Sequence, residues 1–336
     1  MFVTPSASLS QSAVAKVSQF RFLRKYLGRP YFNLGAFIWN YLLASVTHWP
    51  PVRAYGAHLQ SLIQLGATRT QSVGTFFFRN RAELELIVRL LDKNGQDLSQ
   101  NMAVLGCSKG AEVYSISYAI RCARPDLEIN FHAIDISAEI LEFAKSGIYS
   151  LGNNGTSGGP SPGSHAPPGD VTANTIRDQP TSIFERMSAE EMEAVFDRQG
   201  DEVTVKRRFR EGINWRIGDA NDPGLVSTLG RQDIVVANRF LCHMRRAEAE
   251  ACLRNLARLV KPSGYLFVCG VDLDVRTKVA QELGWRPITE MITEIHEGDP
   301  SLRRDWPLHY WGLEPFDRSR VDWEIRYASV FQLSSQ

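Results

Sequence analysis

The chain has 336 residues, of which 43% are hydrophobic, so it is long enough for one large domain or two ordinary domains with a real core. Its 38 Lys and Arg residues nearly balance its 37 Asp and Glu residues, which leaves no overall field that would attract nucleic acid or an acidic membrane. Its five cysteines show no Cys-x-x-Cys spacing, so we predict reduced structural thiols in a cytoplasmic protein and no metal site.

The N-terminal region is predicted to be a helical subdomain that spans residues 1–70. Leu34 to Val46 and Ala57 to Leu65 both have helical apolar spacing, and the breaker His48-Trp-Pro-Pro51 separates them. The first of these runs is too short for the roughly 20 residues that a membrane span needs. Residues 1–14 lack the basic and apolar regions of a secretory signal, so we expect no leader.

An aromatic segment, Val73 to Arg81, precedes a predicted helix from Ala82 to Leu91. Three adjacent phenylalanines predict a buried linker, in which Thr75 and Arg79 are unexpected polar residues. The guanidinium group of Arg79 is a planar fork suited to a carboxylate, either of a cofactor or of a substrate. An ion pair that holds two domains together is the alternative.

A strand-loop-helix-strand unit from Met102 to Asp135 predicts nucleotide-type binding. Met102 to Leu105 is an apolar run typical of a buried parallel strand, and Gly106 begins a tight loop that lets backbone approach a ligand. Asp135 ends the second strand, where nucleotide-binding α/β folds hold ribose hydroxyls. Glu112, near the start of the intervening helix, would repel a pyrophosphate but complement the cationic amino acid end of S-adenosylmethionine.

The loop of this unit distinguishes between cofactors. It lacks the Gly-x-Gly-x-x-Gly pattern of dinucleotide-binding proteins, because Cys107, Ser108 and Lys109 stand between its two glycines. A cofactor with a ribose but no phosphate therefore fits better than a nicotinamide dinucleotide. An ordinary β-α-β unit without a ligand is the alternative.

Residues about 151–180 are predicted to be a disordered insertion, because the stretch is rich in Gly, Pro, Ser, Asn and Thr. Structure is expected to resume at a capping box from Ser188 to Glu191, which opens a helix. The alternation in Val203 to Phe209 and in Ile213 to Ile217 predicts a small antiparallel pair.

Polar residues follow two further predicted strands. Asp219 and Ala220 come after the strand at Trp215 to Ile217. The carboxylate of Asp219 could accept a hydrogen bond from the adenine amine, or it could cap a turn. Asn238 and Arg239 follow a β-branched strand that begins at Asp233. Because ligands collect at the carboxyl ends of parallel strands, we expect these residues to share one crevice with Gly106 and Asp135.

The C-terminal part is predicted to contain a helix from Arg246 to Val260, a strand from Tyr265 to Cys269 and a helix from Val275 to Leu283. Two final strands, at Ile288 to Ile295 and at Ile325 to Leu333, are predicted to flank an aromatic loop at about 298–323. We expect this loop to close over the methyl acceptor or to cover the terminal hairpin.

Four motifs, in the right order and spacing, make residues about 70–290 similar to the CheR-type family, the chemotaxis receptor methyltransferases that use S-adenosylmethionine. They are Thr75-x-Phe-Phe-Arg79, Gly106-Cys-Ser-x-Gly-x-Glu112-x-Tyr-Ser115, Asp135-Ile136 with Ala144-x-Ser-Gly-x-Tyr149, and Asn238-Arg239. The resemblance implies an α/β fold, a Rossmann-like, mostly parallel class I methyltransferase sheet with an antiparallel last strand, in residues 71–336. It also implies a cofactor site lined by Thr75, Arg79, Glu112, Asp135, Asn238 and Arg239, to which we add Gly106, Asp219 and Ala220.

The chain departs from this family in three places. Asp219-Ala220 replaces an asparagine-leucine pair, Val73 replaces an asparagine, and Phe240-Leu-Cys-His243 brings His243 to the position of a tyrosine near the methyl-transfer site. His243 is therefore a candidate catalytic residue together with Arg79. It could act as a general base for a hydroxyl or amine acceptor, or it could be a packed neutral ring.

The predicted function is that of an S-adenosylmethionine-dependent methyltransferase that methylates a carboxylate, on a protein glutamate or on a small acidic molecule. The alternatives are a cofactor-binding regulator or inactive relative, and a methyltransferase that acts on a hydroxyl or amine of a small metabolite. A nicotinamide-dependent oxidoreductase is disfavoured by the missing phosphate fingerprint. A nucleic-acid methyltransferase is disfavoured because no basic patch with interleaved aromatics is present.

Overall fold

We describe the protein from a computed structural model, in which residues 74–93, 99–151, 182–298 and 312–334 are described together with Pro51, Val52 and Tyr55. Most of the predicted helical subdomain, the insertion at about 151–180 and most of the aromatic loop lie outside the described residues. Their structure and the predicted domain boundaries stay predictions.

The described part of the chain alternates helices and strands. The helices are α1 (Arg81–Lys93), α2 (Ala111–Ala123), α3 (Ala138–Ser146), α4 (Ala189–Val195), α5 (Arg207–Arg210), α6 (Leu225–Leu229), α7 (Arg246–Leu259), α8 (Leu273–Glu282), α9 (Ile292–Glu297) and α10 (Trp323–Tyr327), with a 3₁₀ turn at Leu241–His243. The strands are β1 (Ser99–Leu105), β2 (Glu128–Asp135), β3 (Ile148–Ser150), β4 (Phe196–Gln199), β5 (Glu202–Val205), β6 (Ile213–Ile217), β7 (Gln232–Val236), β8 (Val260–Phe267), β9 (Arg286–Pro287) and β10 (Val330–Gln332). Within these described ranges, no helix is both long and apolar enough to cross a bilayer.

The main sheet has seven strands in the order β6-β2-β1-β7-β8-β10-β9. The first five strands are mutually parallel, whereas β10 runs antiparallel to both of its neighbours. The predicted α/β fold, with a mostly parallel sheet and an antiparallel last strand, is confirmed. Because β1, β2, β6 and β7 are parallel, the residues that follow them meet at one edge of the sheet.

Both faces of this sheet are buried, which explains why its central strands are continuous apolar runs. In β1, Ala103 and Leu105 face a core that contains the helices α7 and α8, and Met102 and Val104 face a core that contains α1 and α2. Neighbouring residues of a strand point to opposite faces, so a single run such as Met102 to Leu105 supplies both cores.

A second sheet, β3-β5-β4, is antiparallel and packs through a cluster of aromatic rings. Phe77 lies at its centre, with ring centroids 5.3 Å from Tyr149, 5.1 Å from Phe196 and 5.7 Å from Phe184. The backbone N–H of Phe77 also donates to the carbonyl of Ile183 at 3.0 Å. The cluster therefore fixes the segment that carries Thr75 and Arg79, as expected of a buried linker.

The predicted antiparallel pair between Val203–Phe209 and Ile213–Ile217 is wrong. The first run supplies β5 of the small sheet and then the short helix α5, whereas the second forms β6 and pairs in parallel with β2. Alternating polarity marks a half-buried strand but does not identify its partner. The capping box at Ser188 and Glu191 is confirmed, since each side chain accepts from the other residue's backbone N–H.

The two predicted C-terminal strands are also wrong in extent. The second half of Ile288–Ile295 lies in the helix α9, and the only strand before it is β9. The segment from Ile325 begins within α10 and becomes extended only at β10. The buried residues Ile292, Ile295 and His296 have the i, i+3, i+4 spacing of a helix face, which a short apolar run does not distinguish from a strand.

Candidate active site

A cleft lies at the carboxyl ends of β1, β2, β6 and β7, next to the segment that precedes α1. It is lined by all of the predicted site residues except Asp219, that is by Thr75, Arg79, Gly106, Glu112, Asp135, Ala220, Asn238, Arg239 and His243. Sequence positions that are as far apart as 75 and 243 therefore meet at one site. Ser137, Ile136 and Phe240 also line it, although we did not select them from the sequence.

The loop between β1 and α2 forms the floor of the cleft. Gly106 has a φ of +66° and Gly110 a φ of +84°, in the left-handed region that glycine adopts without strain. A Cβ atom on Gly106 would lie only 2.8 Å from Cδ1 of Phe240. Ser108 also has a left-handed backbone, with a φ of +48°. The loop thus exposes backbone where a side chain would fill the space.

Asp135 fastens this loop to the end of β2. One of its carboxylate oxygens accepts the backbone N–H of Ser108 at 2.8 Å, and the other accepts that of Ser137 at 3.0 Å. A carboxylate has about four acceptor positions, so each oxygen retains a lone pair that can accept a ribose hydroxyl. Asp135 can therefore shape the loop and contact a ligand at once.

The side chain of Asp219 has a different role in the fold. Its carboxylate accepts the backbone N–H of Asn221 at 2.8 Å and so caps the turn after β6. Gly218 and Ala220, on either side of it, line the cleft instead. Of the two alternatives for this acid, the geometry favours the turn, and a contact with adenine stays a prediction.

Arg79 enters the cleft from the turn before α1. Its Nη2 donates to the carbonyl of Gly74 at 2.9 Å, and its guanidinium carbon lies 5.6 Å from the ring centroid of Phe76. Arg186 lies 4.8 Å from the centroid of the same ring and donates to the carbonyl of Arg79 at 2.8 Å. The guanidinium group of Arg79 is thus held by the carbonyl of Gly74 and by the ring of Phe76.

Asn238 joins two buried carboxylates at the inner wall of the cleft. Its Nδ2 donates to Glu83 at 2.5 Å and to Glu112 at 3.0 Å, and its Oδ1 accepts the backbone N–H of Cys269 at 3.0 Å. Burial, together with the charge of Glu112, raises the pKa of Glu83 to about 7. Burial also raises the pKa of Glu112.

Sequence reasoning missed Glu83, which is only 5% exposed. Its position could have been found from α1 itself, because Glu83 lies three and four residues before the buried residues Leu86 and Ile87, on the same helix face. An acid on the apolar stripe of a helix signals a specific buried partner.

Arg239 follows Asn238 with a left-handed backbone, at a φ of +68°. Its N–H donates to the carbonyl of Cys269 at 3.0 Å, and its Nε donates to the thiol of the same residue at 3.2 Å. A Cβ atom on Gly270 would lie 2.9 Å from the Cα of Arg239. Because Gly270 has no side chain, the backbone of Arg239 can approach it closely and adopt this left-handed conformation. Strained residues of this kind are common at functional sites.

His243 ends the 3₁₀ turn at the other side of the cleft and is half-buried. The neighbouring Cys242 raises the pKa of His243 by its charge and by a hydrogen bond, although burial acts in the opposite direction. The imidazole is thus more readily protonated than a free one. The direction of this shift favours the protonated form of the imidazole.

The residues present suit S-adenosylmethionine. Asp135 can accept ribose hydroxyls, and the carboxylate of Glu112 can accept the cofactor's ammonium group. Gly106 lines the cleft without a side chain, and the acid at the β2 tip stands where α/β nucleotide-binding folds place it.

The sheet order, the antiparallel β10 and the cleft at the strand ends define a class I methyltransferase fold. Residues 74–153 match the family model described as CheR methyltransferase, SAM binding domain, and residues 186–268 match a model described as methyltransferase domain. The two matches support the predicted divergent methyltransferase of the CheR type, and the predicted cofactor, S-adenosylmethionine, is confirmed.

Among curated proteins, the chain is similar to the probable biofilm formation methyltransferase WspC of Pseudomonas aeruginosa, with 23% identity over 226 residues. The match covers 66% of this chain and 46% of WspC, so the chain spans about half the length of this relative.

Solved structures show weaker similarity. The magnesium protoporphyrin IX methyltransferase ChlM of Synechocystis matches at 15% identity and a TM-score of 0.31, over 81% of this chain and 86% of its own. An amino pentose methyltransferase of Micromonospora echinaspora matches at 13% identity and a TM-score of 0.28, over 55% of this chain and 48% of its own.

Proposed function

We propose that this protein transfers a methyl group from S-adenosylmethionine to a carboxylate oxygen of a protein glutamate or of a small acidic molecule. The observation that carries the proposal is the set of basic side chains, Arg79, Arg239 and His243, that lines the same cleft as Asp135 and the glycine loop. Guanidinium groups bind carboxylates with paired, charge-assisted hydrogen bonds. A cleft with this lining suits an acceptor that brings its own negative charge.

A carboxylate acceptor needs little from the protein except correct positioning. The bound cofactor supplies a methyl group on a sulfonium sulfur, and the carboxylate oxygen forms the new O–C bond as the C–S bond breaks with its electron pair going to sulfur. No proton has to be removed, so the task of Arg79 and His243 is to hold the acceptor in line with the methyl carbon. A hydroxyl or amine acceptor would instead need a base.

The raised pKa of His243 favours a carboxylate over a hydroxyl or amine as the methyl acceptor. A protonated imidazole cannot act as a base, but it can pair with a carboxylate. This pairing is present below the pKa of His243 and is lost as the pH rises through it. At saturating cofactor, the KM for the acceptor should therefore rise between pH 6 and pH 8.5 in the wild-type protein.

His243→Gln is expected to raise the KM for the acceptor at pH 6 by about tenfold and to lower kcat by less than about threefold, because loss of a general base would cost about a hundredfold or more. In this variant the KM should no longer depend on pH. Steady-state kinetics across this pH range measure both quantities. A fall of kcat by two orders of magnitude with an unchanged KM would identify His243 as a base and contradict its proposed role.

The acceptor class is tested by incubating the protein with S-adenosylmethionine labelled on its methyl group and with fractionated lysate. We expect label that mild alkali releases as methanol, because methyl esters are base-labile whereas methyl amines and ethers are not. Label that survives alkali would overturn the carboxylate proposal. Cofactor binding without any transfer would support the alternative of a regulator. Whether the label runs with protein or with small molecules distinguishes the two proposed acceptors.

The partners and the location follow the same proposal. Similarity to a relative named as a probable biofilm formation methyltransferase supports a role of the same kind, with a protein carboxylate as the acceptor that we favour. None of the five cysteines, all of which lie in the described part of the chain, forms a disulfide, and four of them are buried. Reduced thiols are typical of a cytoplasmic protein, so we propose that location.

A further inference from the structure

Glu83 is a buried acid that the proposed methyl transfer does not use. It lies on α1, outside the four family motifs, and its side chain accepts a hydrogen bond from Asn238 at the inner wall of the cleft. A small pocket continues from the cleft toward it and is lined by both acids, Glu83 and Glu112, together with Asn238 and Arg239. Glu83 thus adds a second buried carboxylate next to that of Glu112.

The hydrogen bonds of Asn238 leave this amide a single orientation. Its Oδ1 must accept the N–H of Cys269, so its Nδ2 faces both acids and its two N–H groups are divided between Glu83 and Glu112. Glu83 is itself fixed, because its backbone N–H donates to Oδ1 of Asn80, whose amide donates to the carbonyl of Ile295 at 2.8 Å. The position of Glu112 therefore depends on Glu83 through one side chain.

The charges around Glu83 come from every element packed against it. They are Glu112 of α2, Arg79 before α1, Arg239 after β7 and the Cys269 thiol after β8. Burial is the main cause that raises the pKa of this thiol, to about 12, so it stays neutral. When both acids are ionised, they balance the two guanidinium groups. When one acid is protonated, the cluster has one excess positive charge.

S-adenosylmethionine carries a sulfonium, an ammonium and a carboxylate, and so has a net charge of one. We propose that Glu83 is a positioning residue that holds Glu112, through Asn238, toward the ammonium group, and that its ionisation makes binding of this cationic cofactor proton-linked. The inference rests on the proposed function in that it takes S-adenosylmethionine as the ligand. The positive charge of the cofactor stabilises the ionised form of Glu83, so cofactor binding releases the proton of this carboxyl group.

The direction of the effect follows from this linkage. In the free protein Glu83 is half protonated near pH 7, and the bound cofactor lowers its pKa. Affinity should therefore rise as the pH rises, by about five- to tenfold between pH 5.5 and pH 7.5 for a shift of about one pKa unit. S-adenosylhomocysteine lacks the sulfonium charge, so its affinity should change less. Glu83 would thus favour the methyl donor over the spent product as the pH rises.

Isothermal titration calorimetry of wild type and Glu83→Gln, from pH 5.5 to pH 7.5, tests this proposal. Glutamine keeps the acceptor oxygen for Asn238 but mimics the protonated acid, so the variant should bind at every pH as weakly as wild type does at pH 5.5. His243 and the cofactor's amino group also titrate near this range, but their contributions are common to both proteins. Glu85→Gln, an exposed acid on the same helix, is the matched control and should behave as wild type.

Two outcomes would overturn the proposal: the same pH dependence in wild type and Glu83→Gln, or a folded variant that binds at no pH. If the variant does not fold, proton release by wild type alone decides. At pH 6.5, titrations in two buffers of different ionisation enthalpy should give about half a proton released per cofactor, and no release would contradict the linkage. Absence of cofactor binding by wild type at every pH would instead refute the proposed function.

Discussion

Asp135→Ala is expected to weaken the binding of S-adenosylmethionine by about a hundredfold or more. The substitution removes the acceptor for two ribose hydroxyls and releases two backbone N–H groups, that of Ser108 in the glycine loop and that of Ser137 in the turn after β2. Hydrogen bonds to a charged group contribute about 1.5 to 3 kcal/mol each, and about 1.4 kcal/mol corresponds to a factor of ten in affinity. Calorimetric titration of the purified variant measures the loss.

Asp219→Ala is the matched control for this experiment. It removes the same charge at the end of the neighbouring strand β6, but its carboxylate caps a turn with Asn221 and does not line the cleft. We expect its thermal midpoint to fall modestly and its cofactor affinity to change by less than about threefold. Equal losses of affinity in the two variants would show that the β2 tip has no special role.

Gly106→Ala is expected to reduce cofactor affinity by at least about tenfold and to lower the free energy of unfolding by about 1 to 3 kcal/mol. An L-residue at a φ of +66° is strained, and the new methyl group would also lie 2.8 Å from the ring of Phe240. Either the ring or the loop must move, and both line the cleft. Chemical denaturation and calorimetry measure the two effects separately.

Gly200→Ala separates the backbone cost from the steric one. Gly200 lies between β4 and β5 with a φ of +62°, and a Cβ atom there would meet nothing within 4 Å. This variant should lose about 1 to 2 kcal/mol of stability and bind the cofactor as wild type does. If Gly106→Ala also bound normally, the close approach of backbone at this loop would be irrelevant to the cofactor.

The parts of the fold that sequence reasoning predicted are those in which a single run determines the structure. Met102 to Leu105 is apolar at every position and so had to be buried on both faces, and Gly106 and Asp135 follow directly from where such strands end. Because parallel strands bring their carboxyl ends together, these local signals also predicted that Asn238 would share a crevice with Gly106 and Asp135.

The errors arose where partners are chosen by tertiary packing. β5 and β6 have similar alternation, but β6 pairs with β2, and its Trp215 packs on Tyr114 with ring centroids 5.7 Å apart. In the same way, Ile292 and Ile295 suit either a strand or a helix, and the helix places both of them in buried positions. No local pattern distinguishes these alternatives.

The buried acid pair shows the same limit at the site. Glu112 could be selected because it follows a glycine loop, whereas Glu83 becomes meaningful only when α1 packs beside α2 and Asn238 connects the two. Its place on the apolar face of α1 was visible, but its partner lies 155 residues away. Long-range polar contacts of this kind are specified by the fold as a whole.

The central claim is that the glycine loop and the acid at the tip of β2 hold the adenosyl part of S-adenosylmethionine. Calorimetric titration of the folded wild-type protein with this cofactor and with S-adenosylhomocysteine tests it most directly. We predict saturable binding of one molecule of either compound per chain, with competition between the two and loss of both in Asp135→Ala. Absence of binding by well-folded protein, or binding that Asp135→Ala leaves intact, would contradict it.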